Sequence, residues 1–85
     1  MAWQVDYSTA ALKTLRRLDP QIQRRIVSFI EARVLDDPRR VGKAMQGDQR
    51  AWRYRVGDYR LICDLRDAVR IVSIVRIGDR KEVYR

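Results

Sequence analysis

Histidine is absent from this 85-residue chain, and cysteine occurs once, at Cys63. The first absence removes the usual general base at neutral pH and every imidazole metal ligand. The second excludes an intrachain disulfide and a thiolate metal cluster. Lysine is nearly as scarce: of 19 cationic side chains, all but Lys13, Lys43 and Lys81 are arginine. No apolar run approaches the ~20 residues that a membrane helix needs, and no N-terminal signal pattern is visible. Internal repeats and low-complexity segments are missing too. The expectation is a cytoplasmic protein with no metal, no cofactor, no membrane contact and no small-molecule ligand.

What is present is charge on a foldable frame. Net charge is +8, while hydrophobic residues make up 46% of the chain, enough to rule out a disordered polycation. The length suits one domain, residues 1–85, with little room for a second core. Arginine's planar fork matches phosphate and stacks on bases, so the bias over lysine is chemically pointed. Nucleic acid is the first partner class implied, an acidic protein the second and an anionic membrane surface the third.

Trp3, Val5 and Tyr7 alternate with polar residues and predict a short strand. Ser8 can cap a helix whose apolar face is Ala11, Leu12, Leu15 and Leu18. Asp19-Pro20 supplies the next cap and first helical position, and Ile22, Ile26, Phe29, Ile30 and Val34 continue at helical spacing until Pro38. Residues 38–50 read as a basic loop. Three strand-like runs follow, at 51–56, 59–66 and 69–77. The predicted fold is α+β: a helical hairpin packed on one face of a small antiparallel sheet, in the order β-α-α-β-β-β.

Gly57-Asp58 is a two-residue hairpin turn, which sets Val56 opposite Tyr59, Tyr54 opposite Leu61 and Arg55 opposite Arg60. By alternation Trp52, Tyr54, Val56, Tyr59, Leu61, Cys63 and Leu65 face the helices, while Arg53, Arg55 and Arg60 share the open face. Like charges across a ladder cost up to about 1 kcal/mol per pair, so a fold that accepts them points to an anion there rather than to a merely solvated face. For the last hairpin, a two-residue turn at Asp67-Ala68 would send Ile71 and Val75 to the arginine face. An odd-length turn keeps them in the core and adds Arg70 and Arg76 to the basic face; the core argument favours the odd turn. Cys63, between Leu61 and Leu65, reads as a small core residue rather than a nucleophile. The cations Lys13, Arg16, Arg17, Arg24, Arg25 and Arg33 read as solvated helix faces.

With Lys43-Ala44-Met45-Gln46-Gly47, Gly57-Asp58-Tyr59-Arg60-Leu61 and the ending from Gly78 through Arg80 to Val83-Tyr84, the chain resembles the RelE/ParE superfamily of bacterial toxins over essentially its whole length. RelE proteins are ribosome-dependent messenger RNA endonucleases neutralised by a cognate antitoxin; ParE proteins share the fold and poison DNA gyrase instead. The residue match favours RelE. The resemblance implies that Arg53, Arg55, Arg60, Arg80 and Tyr84 surround the scissile phosphate of a codon in the ribosomal A site. Arg55, Arg60, Arg80 and Tyr84 would be catalytic, and Arg53, Arg76 and Lys81 would bind RNA phosphates. The implied partners are an antitoxin, RelB-like or other, and the ribosome with its messenger RNA.

Two departures bear on the chemistry. Arg55 stands where RelE's strand lysine has been assigned as general base, and a guanidinium holds its proton too tightly for that role. Asp79 stands where many relatives have histidine or lysine, with Lys81 as a second candidate for proton transfer. Electrostatics and ribosomal positioning are therefore expected to carry most of the rate, with the acid and base left open.

Overall fold

The computed structural model describes residues 3–45 and 47–79. Strand β1 (Gln4–Tyr7) leads into α1 (Thr9–Arg17) and α2 (Pro20–Phe29), followed by β2 (Lys43–Met45), β3 (Asp48–Val56), β4 (Tyr59–Arg66) and β5 (Ile71–Asp79). The helices start where the caps predict. The Ser8 hydroxyl accepts from the Ala11 amide at 3.0 Å, and the Asp19 carboxylate accepts from the Gln21 amide at 2.8 Å, with Pro20 at the first helical position. Gln23 of α2 closes the hairpin by donating to the Leu18 carbonyl at 2.8 Å, satisfying an orphan acceptor at the end of α1.

Past Phe29 the helix widens into a π-helical turn over Ile30–Val34, where the Leu35 amide bonds the Ile30 carbonyl at 2.9 Å. Ile26, Ile30 and Val34 remain fully buried through the change of pitch. They pack with Ala11 and Leu15 on Tyr54, Leu61, Cys63, Leu65, Val72 and Ile74 of the sheet. Burial of Cys63 pushes its thiol well up, as suits a core residue.

The helical hairpin lies on one face of the sheet as expected, but among the described residues the sheet has five strands, in the order β1-β5-β4-β3-β2. It is mixed rather than wholly antiparallel, because β1 pairs parallel to β5 from Gln4↔Ile71 to Tyr7↔Ile74. A connection through two helices can return a strand in either sense, and local pattern does not say which. Part of the predicted 38–50 loop is also strand: β2 runs antiparallel to β3, with Lys43 opposite Arg53 and Ala44 opposite Trp52.

The last hairpin corrects the predicted odd turn. Asp67, Ala68, Val69 and Arg70 form a four-residue turn between the paired Arg66 and Ile71, with Arg70 at φ +55°. Ile71 is only half-buried and Val75 is 45% exposed, while Val72, Ile74 and Ile77 fill the core. A bulge reconciles the two ends. Cys63 pairs with Ile74 but Ile62 pairs with Arg76, so Val75 is the extra residue and every side chain beyond it changes face. Arg76 reaches the open face by this bulge, and Arg70 remains in the turn.

Ser8 holds the bulge in place. Its amide donates to the Ile74 carbonyl at 2.9 Å and its hydroxyl donates to the Val75 carbonyl at 2.6 Å. The hydroxyl that caps α1 thus also fixes the point where β5 changes parity.

Candidate functional site

The cations of the open face line up by strand register. Lys43, Arg53, Ile62 and Arg76 form one row across β2, β3, β4 and β5. Arg55, Arg60 and Gly78 form the row beside it, with Arg55 and Arg60 direct partners as the hairpin turn requires. Strands lie about 4.8 Å apart and same-face residues about 6.6 Å apart along a strand, so these guanidinium groups share one small area. Gly78 offers no side chain to that face, and Arg60 opposite it is only 7% exposed although charged. A nearly buried guanidinium beside two more exposed ones concentrates positive potential in a low-dielectric recess.

Sequence reasoning placed Arg53, Arg55, Arg60 and Arg76 on this face, and the structure brings all four together. It differs in the depth of Arg60, which sits buried where an open surface was expected; Arg53 is half-buried, and Arg55 and Arg76 are exposed. The remaining expected site residues, Arg80, Lys81 and Tyr84, lie outside the described residues. The strand that precedes them in sequence is described: Gly78 lies opposite Arg60 and Asp79 opposite Tyr59, so the last described residues of β5 lie beside the arginine rows.

Lys43 was missed as a site residue because β2 was read as loop. Its signal was present in the Lys43-Ala44-Met45 segment, but only pairing with β3 sets it beside Arg53. Also missed was a cleft of about 410 Å³ at this place, whose walls combine Phe29, Val41, Gly42 and Tyr54 with Lys43, Arg53, Arg55 and Arg60. Gly42 is at φ +72°, and a Cβ there would lie 2.6 Å from Cδ1 of Tyr54, so only glycine lets the chain pass this close to β3.

The cleft wall is anchored by buried hydrogen bonds. The Tyr54 hydroxyl donates to the Pro38 carbonyl at 2.6 Å, and burial pushes its phenol well up. Its ring meets Phe29 edge-on, with centroids 6.1 Å apart. The Trp52 indole donates to the Val41 carbonyl at 2.8 Å, and the Arg39 guanidinium lies 5.7 Å from the Trp52 ring centroid. Arg39 also forks onto Asp67 at 2.7 and 2.9 Å, and those hydrogen bonds hold the Asp67 carboxyl below the usual carboxylate range. The 38–43 segment is thereby clamped to both β3 and the β4–β5 turn.

Chemically, the rows can bind and polarise a phosphodiester through several charge-assisted donors at once. Among the described residues no group of three or more His, Cys, Asp or Glu side chains could hold a metal ion, and no helix is long and apolar enough to cross a membrane.

Comparison with known proteins supplies the family. A family model described as the ParE toxin of the type II toxin–antitoxin system parDE matches residues 5–84. Toxin RelG of Mycobacterium tuberculosis is 31% identical over 86 aligned positions, spanning 100% of this chain and 99% of that protein. Toxin RelE of the same organism is 31% identical, spanning 98% of this chain and 87% of its own length. Among solved structures, the toxin–antitoxin complex RelBE2 of M. tuberculosis superposes with a TM-score of 0.84 at 30% identity, covering 94% of this chain and 100% of the matched one. The isolated RelE toxin of Escherichia coli gives 0.81 at 25% identity, covering 98% and 92%. With nearly the whole chain matched by the family model and by relatives of its own length, this protein belongs to the RelE/ParE family of type II toxin–antitoxin toxins.

Proposed function

We propose that this toxin is a ribosome-dependent endoribonuclease that cleaves messenger RNA in the A site and so stops translation in the cytoplasm. The observation that carries the reading is the pair of cation rows, Lys43–Arg53–Arg76 and Arg55–Arg60, beside Gly78 and Asp79, which immediately precede Arg80, Lys81 and Tyr84 in the sequence. The RelE and RelG names of the similar proteins support it.

In this mechanism the 2′-hydroxyl attacks the adjacent phosphorus in line with the departing 5′-oxygen. As the 2′-oxygen–phosphorus bond forms and the phosphorus–5′-oxygen bond breaks, the 2′-hydroxyl gives up one proton and the 5′-oxygen takes one up, leaving a 2′,3′-cyclic phosphate and a 5′-hydroxyl. Arg53, Arg76 and Lys81 hold flanking phosphates, while Arg55 and Arg60 stabilise the charge that grows on the phosphorane oxygens. Arg80 donates a hydrogen bond to the leaving oxygen while keeping its proton, and Tyr84 stacks on a base or bonds the sugar. Arg55 is a donor in this scheme and not a base, since guanidinium keeps its proton. The ribosome supplies the in-line geometry.

The partner is a cognate antitoxin. RelBE2, a toxin–antitoxin complex, is among the similar structures, and an acidic segment covering the arginine rows would block access to RNA.

The test maps cuts on a defined messenger RNA with purified toxin, with and without programmed ribosomes. Cuts inside the A-site codon, present only with ribosomes and lost in Arg80→Ala, are expected. Uncut RNA together with inhibited gyrase supercoiling would replace this reading with the ParE activity that the matching family model is named for.

A further inference from the structure

We infer that the cleft between the 41–43 segment and β3 is a nucleobase subsite, which seats the base of a nucleotide whose phosphate lies on the arginine rows. The inference deepens the nuclease reading and takes its ligand class, a single RNA strand, from it.

The cleft has two chemistries in one space. Phe29, Val41 and the Tyr54 ring give it an apolar wall, and Lys43, Arg53 and Arg55 give it cations. Its volume of about 410 Å³ falls within the usual range for small-ligand sites, about 300–1,000 Å³, and accommodates a base with its sugar. A ligand that satisfies both halves must be flat and apolar on its faces yet carry negative charge one bond network away. A nucleotide has that composition.

Charge complementarity favours RNA over a protein segment as the occupant. None of the described residues that line the cleft is acidic, and its cations Lys43, Arg53, Arg55 and Arg60 belong to the rows that the phosphates would follow. The wall is also built to hold its shape. Gly42 permits close approach to Tyr54, and the hydrogen bonds from Tyr54 to Pro38 and from Trp52 to Val41 fix the segment on β3. A preformed wall loses little on binding, which is what a stacking platform requires.

The experiment measures equilibrium binding of a trinucleotide RNA to the full chain, without ribosomes and at low salt. Every ribose carries 2′-O-methyl, so no cleavage can occur. The same strand is then made abasic at one position at a time. Removal of one particular base should weaken binding about tenfold or more, the usual effect of losing one stacked base. That difference should collapse in Phe29→Leu, which keeps an apolar group of similar bulk, and in Val41→Trp, which fills the cleft. Both variants should still bind the abasic strand like the parent, which shows that they are folded and that the arginine rows are intact.

Equal affinity for the base-bearing and abasic strands would overturn the subsite. So would a base effect that survives both substitutions, since the base would then sit elsewhere. So would equal affinities with the cleft protected from solvent only by the cognate antitoxin, since a protein segment would then be its occupant. Ribosomal cleavage is read separately. Cuts that persist without base discrimination sink the subsite alone, and base discrimination without cuts sinks the nuclease reading alone.

Discussion

Ser8 is a small residue with a double load, and removing its hydroxyl should cost more than a helix cap alone. The hydroxyl accepts from the Ala11 amide at 3.0 Å and donates to the Val75 carbonyl at 2.6 Å. Replacing an N-cap serine with alanine typically costs about 1 kcal/mol. A further hydrogen bond contributes roughly 0.5–1.5 kcal/mol. Ser8→Ala should therefore destabilise the fold by about 2 kcal/mol, which for a domain of this size lowers Tm by roughly 8–15 °C. Urea unfolding followed by tryptophan fluorescence would report it as a lower midpoint at unchanged slope. Two further variants separate the terms. Ser8→Thr retains both bonds and should stay within about 0.5 kcal/mol of the parent. Ser8→Asp restores the cap but offers no proton to Val75, and should recover only about half of the loss. Ser8→Asp as stable as the parent would refute the claim that the bulge depends on this donor. A loss under about 0.5 kcal/mol in Ser8→Ala would refute both terms.

Other expectations follow from the same geometry. Gly42→Ala forces a Cβ toward the Tyr54 ring at φ +72° and should destabilise by about 2 kcal/mol or more, measurable by thermal melting. Under the proposed nuclease function, Arg60→Ala should lower kcat for A-site cleavage about 10²–10³-fold, the usual cost of one charge-stabilising donor, with a much smaller effect on ribosome binding; equal losses in both would mean that Arg60 docks the toxin. Asp67 has its folded value held below the unfolded one by Arg39, so it contributes stability above the unfolded value and loses it as pH falls through the folded value. The stability gap between the parent and Asp67→Asn should accordingly be constant near neutrality and close in acid; a gap that widens as pH falls would reverse the sign of the argument.

Much of the frame was legible because it is local. The helix starts are written in Ser8 and in Asp19-Pro20, side chains that satisfy amides two or three residues away. The central hairpin is written in Gly57-Asp58, because a two-residue turn admits one register and that register makes Arg55 and Arg60 partners. Alternation then sorts β3 and β4 into a core face and an arginine face. The helical periodicity of Ile26, Ile30 and Val34 also survived, although the π-helical turn did not show in it. The resemblance to RelE and ParE toxins rests on residues 43–47, 57–61 and 78–84, of which only the turn at 57–58 belongs to that local frame, and it is matched by the family model and by the fold.

Tertiary structure decided the rest. Residue alternation cannot reveal a bulge whose donor lies 67 positions away, and the Ser8–Val75 bond is what places Arg76 on the open face. A three-residue strand such as β2 carries too little pattern to announce itself; only β3 beside it makes Lys43 part of the site. Whether β1 runs parallel or antiparallel depends on how the two helices cross the sheet. Burial of Arg60 depends on neighbours from β3 and β5 that its own strand does not encode. The sequence by itself determined which residues carry charge and which faces they take within a hairpin. The packing of distant segments determined how deep the charge lies and what wall stands beside it, because depth and enclosure are properties of surfaces brought together, and no single stretch of chain contains both.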